Sequence, residues 1–578
     1  MIAKRGKSEM MEINRRWWKE GVGYQIYPKS FCDSNGDGIG DLRGIISKLD
    51  YLAYLGVNII WLCPVYQSPM DDNGYDVSDY YQIASEFGTM EDFKHLLAEA
   101  KKREIKIVMD LVLNHTSDEH PWFIEARQSV DNPYRDYYIW QKGKINEWGE
   151  EVEPTNWASF FTPSCWEKDD LTNEYYMHIF SKKMPDLNWS NDQMRKDLYK
   201  MVTWWLELGI DGFRVDAVAH LDRDFTFTDS TFGGGRYKED WSKFSNLPLV
   251  HTYLKELNEQ VFSKYDIFTV GEVGGGADVE DALLYAATES NELDMVFTFD
   301  HCWLNNGFDS LDEMWTNRTN LIALKQVFKK WQSGLYKKAW NPLYWLNHDH
   351  PRVMSQYGEP VYYHKESGKM LATTLLLMWG TPFIYNGEEI GMTNANYKSF
   401  SDYRDVSTCE KIQRLLEEGY PQELVARYIS VTARDNARTP MQWNSEANAG
   451  FSSGEPWIKV NENYPSINVA MQMDDKDSIL QHYRQLIELR RFSCYKDTIV
   501  YGEYTLLSEQ HPNIYAYLRT SDEYKLLIVS NFFDNPAIIC LPKLTATKIV
   551  LSNYKDSSMQ LSCLTLRPFE SIVFELER

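Results

Sequence analysis

Short runs of apolar and β-branched residues alternate along most of the chain with longer segments whose apolar positions recur every three or four residues. The runs at 23–27, 57–63, 105–111, 212–216, 267–271, 295–299, 344–346 and 383–385 read as strands. Between them, segments such as DLRGIISKLDYLAYLG, EDFKHLLAEAKKRE, RKDLYKMVTWWLELG and LVHTYLKELNEQVFSKY carry the period of amphipathic helices. Eight strands with intervening helices predict an α/β fold, a (β/α)8 TIM barrel rather than an open doubly wound sheet. Two stretches break the rhythm. Residues 112–183, rich in Trp, Tyr, Asn and Pro, read as a subdomain inserted after the third strand. From residue 493 the chain turns to short β runs (TIVYGEYTLL, IYAYLRT, YKLLIVSNF, KIVLSNY, SIVFELE), which predict a C-terminal antiparallel β domain, a β-sandwich. The expected division is therefore a barrel of residues 1–111 and 184–492, an insert at 112–183 and a β domain at 493–578.

Charge narrows the partners. The 578 residues carry a net charge of −24, which argues against a nucleic-acid or anionic-membrane surface. The N-terminal MIAKRGKSEMMEINRRWWKEG has no apolar run for a signal peptide, and no transmembrane stretch follows, so the expected location is cytoplasmic. The eight cysteines lack CxxC spacing, and contexts such as IIWLCPVY and PAIICLP predict buried free thiols in a reducing compartment. Aromatics reach 14%, which suits stacking on sugar rings as well as a large core. The expected assembly is a monomer or weak homodimer.

The apolar stretch GIDGFRVDAVAH (209–220) nevertheless carries Asp211, Arg214 and Asp216. Buried charges cost several kcal/mol unless they are paired or used. Asp110 ends the third predicted strand, Asp216 the fourth, Glu272 follows the fifth and Asp349 the seventh. All lie at C-terminal strand ends, where barrel enzymes assemble their sites. Convergent Asp216, Glu272 and Asp349 without a Cys/His metal cluster suit glycoside hydrolysis, one carboxylate ionised as nucleophile and another protonated as acid. Arg214, on the same strand face as Asp216, is expected to lower its pKa, while crowding and partial burial raise Glu272.

These residues resemble the signature regions of glycoside hydrolase family 13, the α-amylase family: DLVLNH (110–115), GFRVDAVAH (212–220), GEV (271–273) and NHD (347–349). GVNIIWLCPVYQSP (56–69), MPDLNW (184–189) and GTPFIYNGEEIGM (380–392) resemble its supporting regions. DDNGYDVSDY, NHTSDEHPWF and RDNARTPMQW resemble the oligo-1,6-glucosidase and α-glucosidase branch. The resemblance implies Asp216 as nucleophile, Glu272 as acid/base and Asp349 as transition-state stabiliser. It implies that His115, His348 and Arg214 serve the −1 subsite, that Asp72 and Arg434 hold the terminal glucose, and that Tyr75 and Phe180 line its pocket. The substrate would be a short α-glucoside such as maltose or isomaltose.

In such enzymes the residue after the nucleophile helps sort linkages, Val with α-1,6 and small residues with α-1,4; here Ala217 leans to α-1,4. MPDLN for the usual QPDLN, and His350 in NHDHPR, depart from the branch pattern around that rim. HLDRD (220–224) looks like the arginine-rich motif of sucrose isomerases, but that motif belongs after the acid/base, where this chain reads HCWLNNGFDSLDEMW (301–315). The resemblance therefore implies a retaining, exo-acting α-glucosidase leaning to α-1,4 linkages; an oligo-1,6-glucosidase or a transglycosylating or sucrose-acting relative is the alternative reading, and a non-catalytic binding relative a remoter one.

DSNGDGIGD (33–41) spaces oxygen donors at alternate positions, as in the first part of an EF-hand loop, though Gly44 stands where its last Glu would be. Asp33, Asn35, Asp37 and Asp41, with the Ile39 carbonyl, would hold a structural Ca2+ or Mg2+. No organic cofactor is expected.

Overall fold

The computed structural model describes residues 13–274, 276–304 and 319–578. Eight parallel strands form one sheet: β1 (Gly23–Ile26), β2 (Ile59–Leu62), β3 (Lys106–Val112), β4 (Gly212–Asp216), β5 (Phe268–Glu272), β6 (Met295–Phe297), β7 (Pro342–Leu343) and β8 (Thr381–Tyr385). The order β6-β5-β4-β3-β2-β1-β8-β7 pairs the first strand with the last, Gly23 opposite both Ile59 and Phe383, as a closed barrel requires. Among the described residues only the β6–β7 seam lacks ladder hydrogen bonds.

β1, β2, β4 and β8 are buried along their whole length, because helices cover the outer face of a parallel barrel. The helices stop and start where the sequence dictates. Asn191 accepts the Met194 N–H at 3.0 Å to cap Asp192–Leu208, and Gly209 ends that helix at φ 108°. In β4, a Cβ on Gly212 would collide with the Phe268 backbone of β5, so this position admits only glycine. β7 lies earlier than the apolar run at 344–346. Tyr344, Trp345 and Leu346 are buried but leave the ladder; Tyr344 Oη donates to the Thr298 carbonyl at 2.5 Å and Trp345 Nε1 to the Leu371 carbonyl at 3.0 Å. Their apolarity records burial, not strand pairing.

After β3 the chain builds a three-stranded antiparallel sheet of Trp140–Gln141, Glu174–Met177 and Trp166–Asp169. It has its own core of Ile139, Trp157, Trp166, Met177 and Ile179, joined by Phe244 from the chain beyond β4. The C-terminal segment carries β9 (Glu503–Leu507), β10 (Ile514–Thr520), β11 (Lys525–Asn531), β12 (Ala546–Ser552) and β13 (Ser571–Leu576) in the antiparallel order β9-β10-β11-β13-β12. A two-stranded ribbon, Ala537–Ile539 with Leu564–Leu566, packs on one face of that sheet around Ile514, Leu527 and Ile572. No described helix is long and apolar enough to cross a membrane.

The cysteines divide. Cys32, Cys63, Cys165 and Cys302 are buried as expected, but Cys409, Cys494, Cys540 and Cys563 are exposed. Cys540 follows an alternating strand, and its place in that alternation turns it outward despite the apolar PAIICLP context.

Candidate active site

β3 and β4 run in register with Arg214 opposite Asp110, which seats a fully buried guanidinium at the barrel mouth. One of its terminal nitrogens donates to Asp110 at 2.8 Å and to Asp216 at 2.6 Å; the other meets the Glu272 carboxylate. Asp110 also accepts from Trp61 Nε1 and Tyr75 Oη, each at 3.0 Å. One cation thus faces three carboxylates. Burial pushes Asp216 up to about 7; Arg214 pulls against that rise and the Asp110 charge adds to it. The lowering expected from Arg214 is present but outweighed, first by the burial of Asp216 in the folded mouth and then by the charge of Asp110 on the same guanidinium.

Asp349 leaves the end of β7 and enters a second network. Its Oδ1 accepts from Arg438 at 3.1 Å and pairs with Arg434 Nε at 3.0 Å, while His348 Nε2 lies 3.3 Å from Oδ2. Burial would raise Asp349, but His348 and the two guanidiniums hold it well below the usual carboxylate range. Burial pushes His348 itself well below the usual imidazole range, so the arginines supply the charge that holds Asp349. Arg434 reaches on to donate to Asp72 at 3.2 Å. Burial pushes Asp72 up to about 7 against the pull of both arginines.

The ring of Tyr75 lies parallel to that of His348, 5.2 Å between centroids and 4° apart in plane, and His348 Nδ1 meets Gln25 Nε2 at 3.0 Å. His115 Nε2 lies 3.1 Å from the Tyr75 carbonyl, and burial pushes this imidazole down to about 3. Phe180, from the insert, packs edge-on against His115 at 5.4 Å. Ala217 turns the chain off β4 in the left-handed region (φ 45°, ψ 34°), where a β-branched side chain is strongly disfavoured. The structure therefore brings the predicted catalytic and substrate-binding residues to one mouth. His350 packs against Phe299 at 5.4 Å beside Asp349.

Two members of the network escaped the sequence reading. Arg438 stands four residues after Arg434 in RDNARTPMQW, so helical spacing could have found it. Asp405, 3.1 Å from Arg438 and 3.4 Å from Arg434, carries no local motif; only the fold brings it there.

In the 33–41 loop, Asp33 accepts the backbone N–H groups of Asn35, Gly36 and Gly38, each at 2.8 Å, and Asp37 that of Ile39 at 2.9 Å. Asp41 accepts from Ser34 at 2.8 Å and caps the helix Leu42–Ser47 through Gly44 N–H at 2.7 Å. Among the described residues no three His, Cys, Asp or Glu side chains are already gathered as a metal site. The donor set is nonetheless all oxygen, the chemistry hard cations take.

The family described as "Alpha amylase, catalytic domain" matches residues 25–502, and "Alpha-amylase SusG C-terminal domain" matches 514–573. The chain is a member of glycoside hydrolase family 13. Within this α-amylase family it falls in the oligo-1,6-glucosidase and α-glucosidase branch. It is 50% identical over 569 residues to an oligo-1,6-glucosidase of Bacillus cereus, covering 98% of this chain and all of that one. It is 44% identical to an α-glucosidase of Pediococcus pentosaceus, over 98% of this chain and all of the relative. The crystal structure of Bacillus licheniformis trehalose-6-phosphate hydrolase superposes with a TM-score of 0.90 at 44% identity, covering 98% of this chain and all of that one. This α-amylase-family protein is therefore a glycoside hydrolase. The isomerase-motif position at 301–315 lies, from residue 305 on, outside the described residues.

Proposed function

We propose that this enzyme is a retaining, exo-acting α-glucosidase that removes single α-glucose units from the non-reducing end of short α-glucosides. One observation carries the reading: Asp216 and Glu272 sit on the two terminal nitrogens of one buried guanidinium, while Asp349 lies on the same mouth, tied to Asp72 through Arg434. Two carboxylates on one guanidinium are close neighbours, as a retaining pair about 5–5.5 Å apart must be. Asp216 attacks the anomeric carbon as Glu272 gives its proton to the glycosidic oxygen, and the leaving sugar departs. Glu272, now ionised, takes a proton from water, which displaces Asp216 and releases α-glucose. Asp349, kept anionic by its arginines, faces the positive charge that grows on the sugar. The Asp72–Arg434 pair offers acceptors and donors to the far hydroxyls of a terminal glucose.

For linkage, Ala217 supports α-1,4 substrates, because a small side chain beside the nucleophile leaves room for a 4-linked leaving glucose. The name of the Bacillus cereus relative favours a second reading, α-1,6. Initial rates on maltose, isomaltose and sucrose, with products separated by chromatography, decide between them. Faster release from maltose supports the first reading, and faster release from isomaltose replaces it with the second. Release from neither, with sucrose converted to an isomer, would contradict both.

We further propose that Asp33, Asn35, Asp37, Asp41 and the Ile39 carbonyl hold a structural Ca2+ or Mg2+. Such an ion would brace the loop after β1 and stand apart from the chemistry.

A further inference from the structure

The two-stranded ribbon of the C-terminal domain places Ala537 opposite Leu566, Ile538 opposite Thr565 and Ile539 opposite Leu564. Cys540 directly follows Ile539, and Cys563, the last residue of the 3-10 turn Leu561–Cys563, directly precedes Leu564, so the two cysteines flank the last ladder pair on the same side. Burial alternates along both strands: Ala537, Ile539, Leu564 and Leu566 face the core, whereas Ile538 and Thr565, then Cys540 and Cys563, face outward. Beyond the cysteines, the Leu541 N–H donates to the Leu561 carbonyl at 2.8 Å, so backbone contacts bracket the pair on both sides. Residual shielding and then the Cys563 thiol raise the Cys540 thiol, in keeping with their places on either side of the Ile539–Leu564 pair. The adjoining Ile539–Leu564 pair is directly opposed in an antiparallel ladder, where Cα atoms lie roughly 4.5–5.5 Å apart. A disulfide accepts about 4.4–6.8 Å.

We propose that Cys540 and Cys563 form an oxidisable dithiol that closes into an intramolecular cross-strand disulfide by exchange with a low-molecular-weight disulfide. One thiolate attacks the small disulfide, forming a mixed disulfide and releasing one small thiol. The other then attacks the mixed disulfide at the protein sulfur, closing the bond and releasing the second small thiol. The protein dithiol loses two electrons and two protons, and the small disulfide gains them. The closed loop, residues 540–563, contains β12, which among the described residues pairs with β13 alone, at the sheet edge. Oxidation therefore pins an edge strand whose attachment otherwise rests on one ladder, and it does so away from the barrel mouth.

The test uses the full-length enzyme, equilibrated in reduced and oxidised glutathione at graded ratios near pH 8.5, then alkylated and mapped by peptide mass spectrometry. The expected product is one intramolecular link joining the Cys540 and Cys563 peptides, with an unfolding midpoint that rises on oxidation and falls back on reduction. Cys540→Ser and Cys563→Ser should each abolish the link and the shift, with reduced-state midpoint and glucosidase rate unchanged. Separate glutathione adducts on both residues, links between chains, or no oxidation at any ratio would overturn the dithiol. A linked protein with an unshifted midpoint would overturn the pinning of the edge.

Discussion

Arg214 serves Asp110, Asp216 and Glu272 at once, and burial first, then Arg214 and Asp110, set how Asp216 titrates. Since the nucleophile must be anionic and is pushed up to about 7, kcat/KM should rise with pH through a limb far above the ordinary carboxylate range near 4. Asp110→Asn removes a like charge and should move that limb to lower pH. A wild-type limb near pH 4, unmoved in the variant, would contradict this picture of the mouth. Asp216→Asn should fold with an unchanged circular dichroism spectrum and lose on the order of 10³-fold or more in kcat. Asp216 and Glu272 were legible as mouth residues because each closes its strand, and Asp349 because it follows the seventh strand by a short loop. The sequence did not reveal the direction in which Asp216 shifts, because that is set first by how fully the folded barrel buries the carboxylate and then by Asp110, about a hundred residues away in the chain and adjacent only across the β3–β4 ladder.

At the level of elements, the pocket's arginines are held from outside the barrel strands. Asp405 caps the helix Val406–Glu417 by accepting the Thr408 N–H at 2.8 Å, and the same carboxylate pairs with Arg438 and Arg434. Asp405→Asn keeps a capping side chain but removes the charge, so KM should rise several-fold with little change in the unfolding midpoint. Asp405→Ala should add about 1 kcal/mol of destabilisation from the lost cap. Equal KM values in wild type and Asp405→Asn would show that the carboxylate only caps. The 33–41 loop makes a separate prediction. Chelation should lower the unfolding midpoint, Ca2+ or Mg2+ should restore it, and kcat at temperatures well below the transition should stay constant. An unchanged midpoint would remove the ion. Periodicity found the eight strands and missed only the seventh's place, because a buried run such as Tyr344–Leu346 looks alike whether or not it joins a ladder.

For the whole molecule, the proposed activity has a chain of net charge −24 take an uncharged glucoside at a mouth whose charges are paired with one another. Long-range steering has nothing to act upon, so kcat/KM should change less than about twofold between low and roughly 0.5 M salt. A steep salt dependence would indicate an ionic substrate instead. The most direct test of the chemistry is to trap the intermediate with a fluorinated α-glucosyl fluoride that forms the glycosyl-enzyme quickly and hydrolyses slowly. Peptide mapping should find one glucosyl unit per chain on Asp216, and turnover of unmodified substrate should release glucose first as the α-anomer. A label on another carboxylate, or β-glucose as the first product, would contradict the retaining mechanism with Asp216 as its nucleophile.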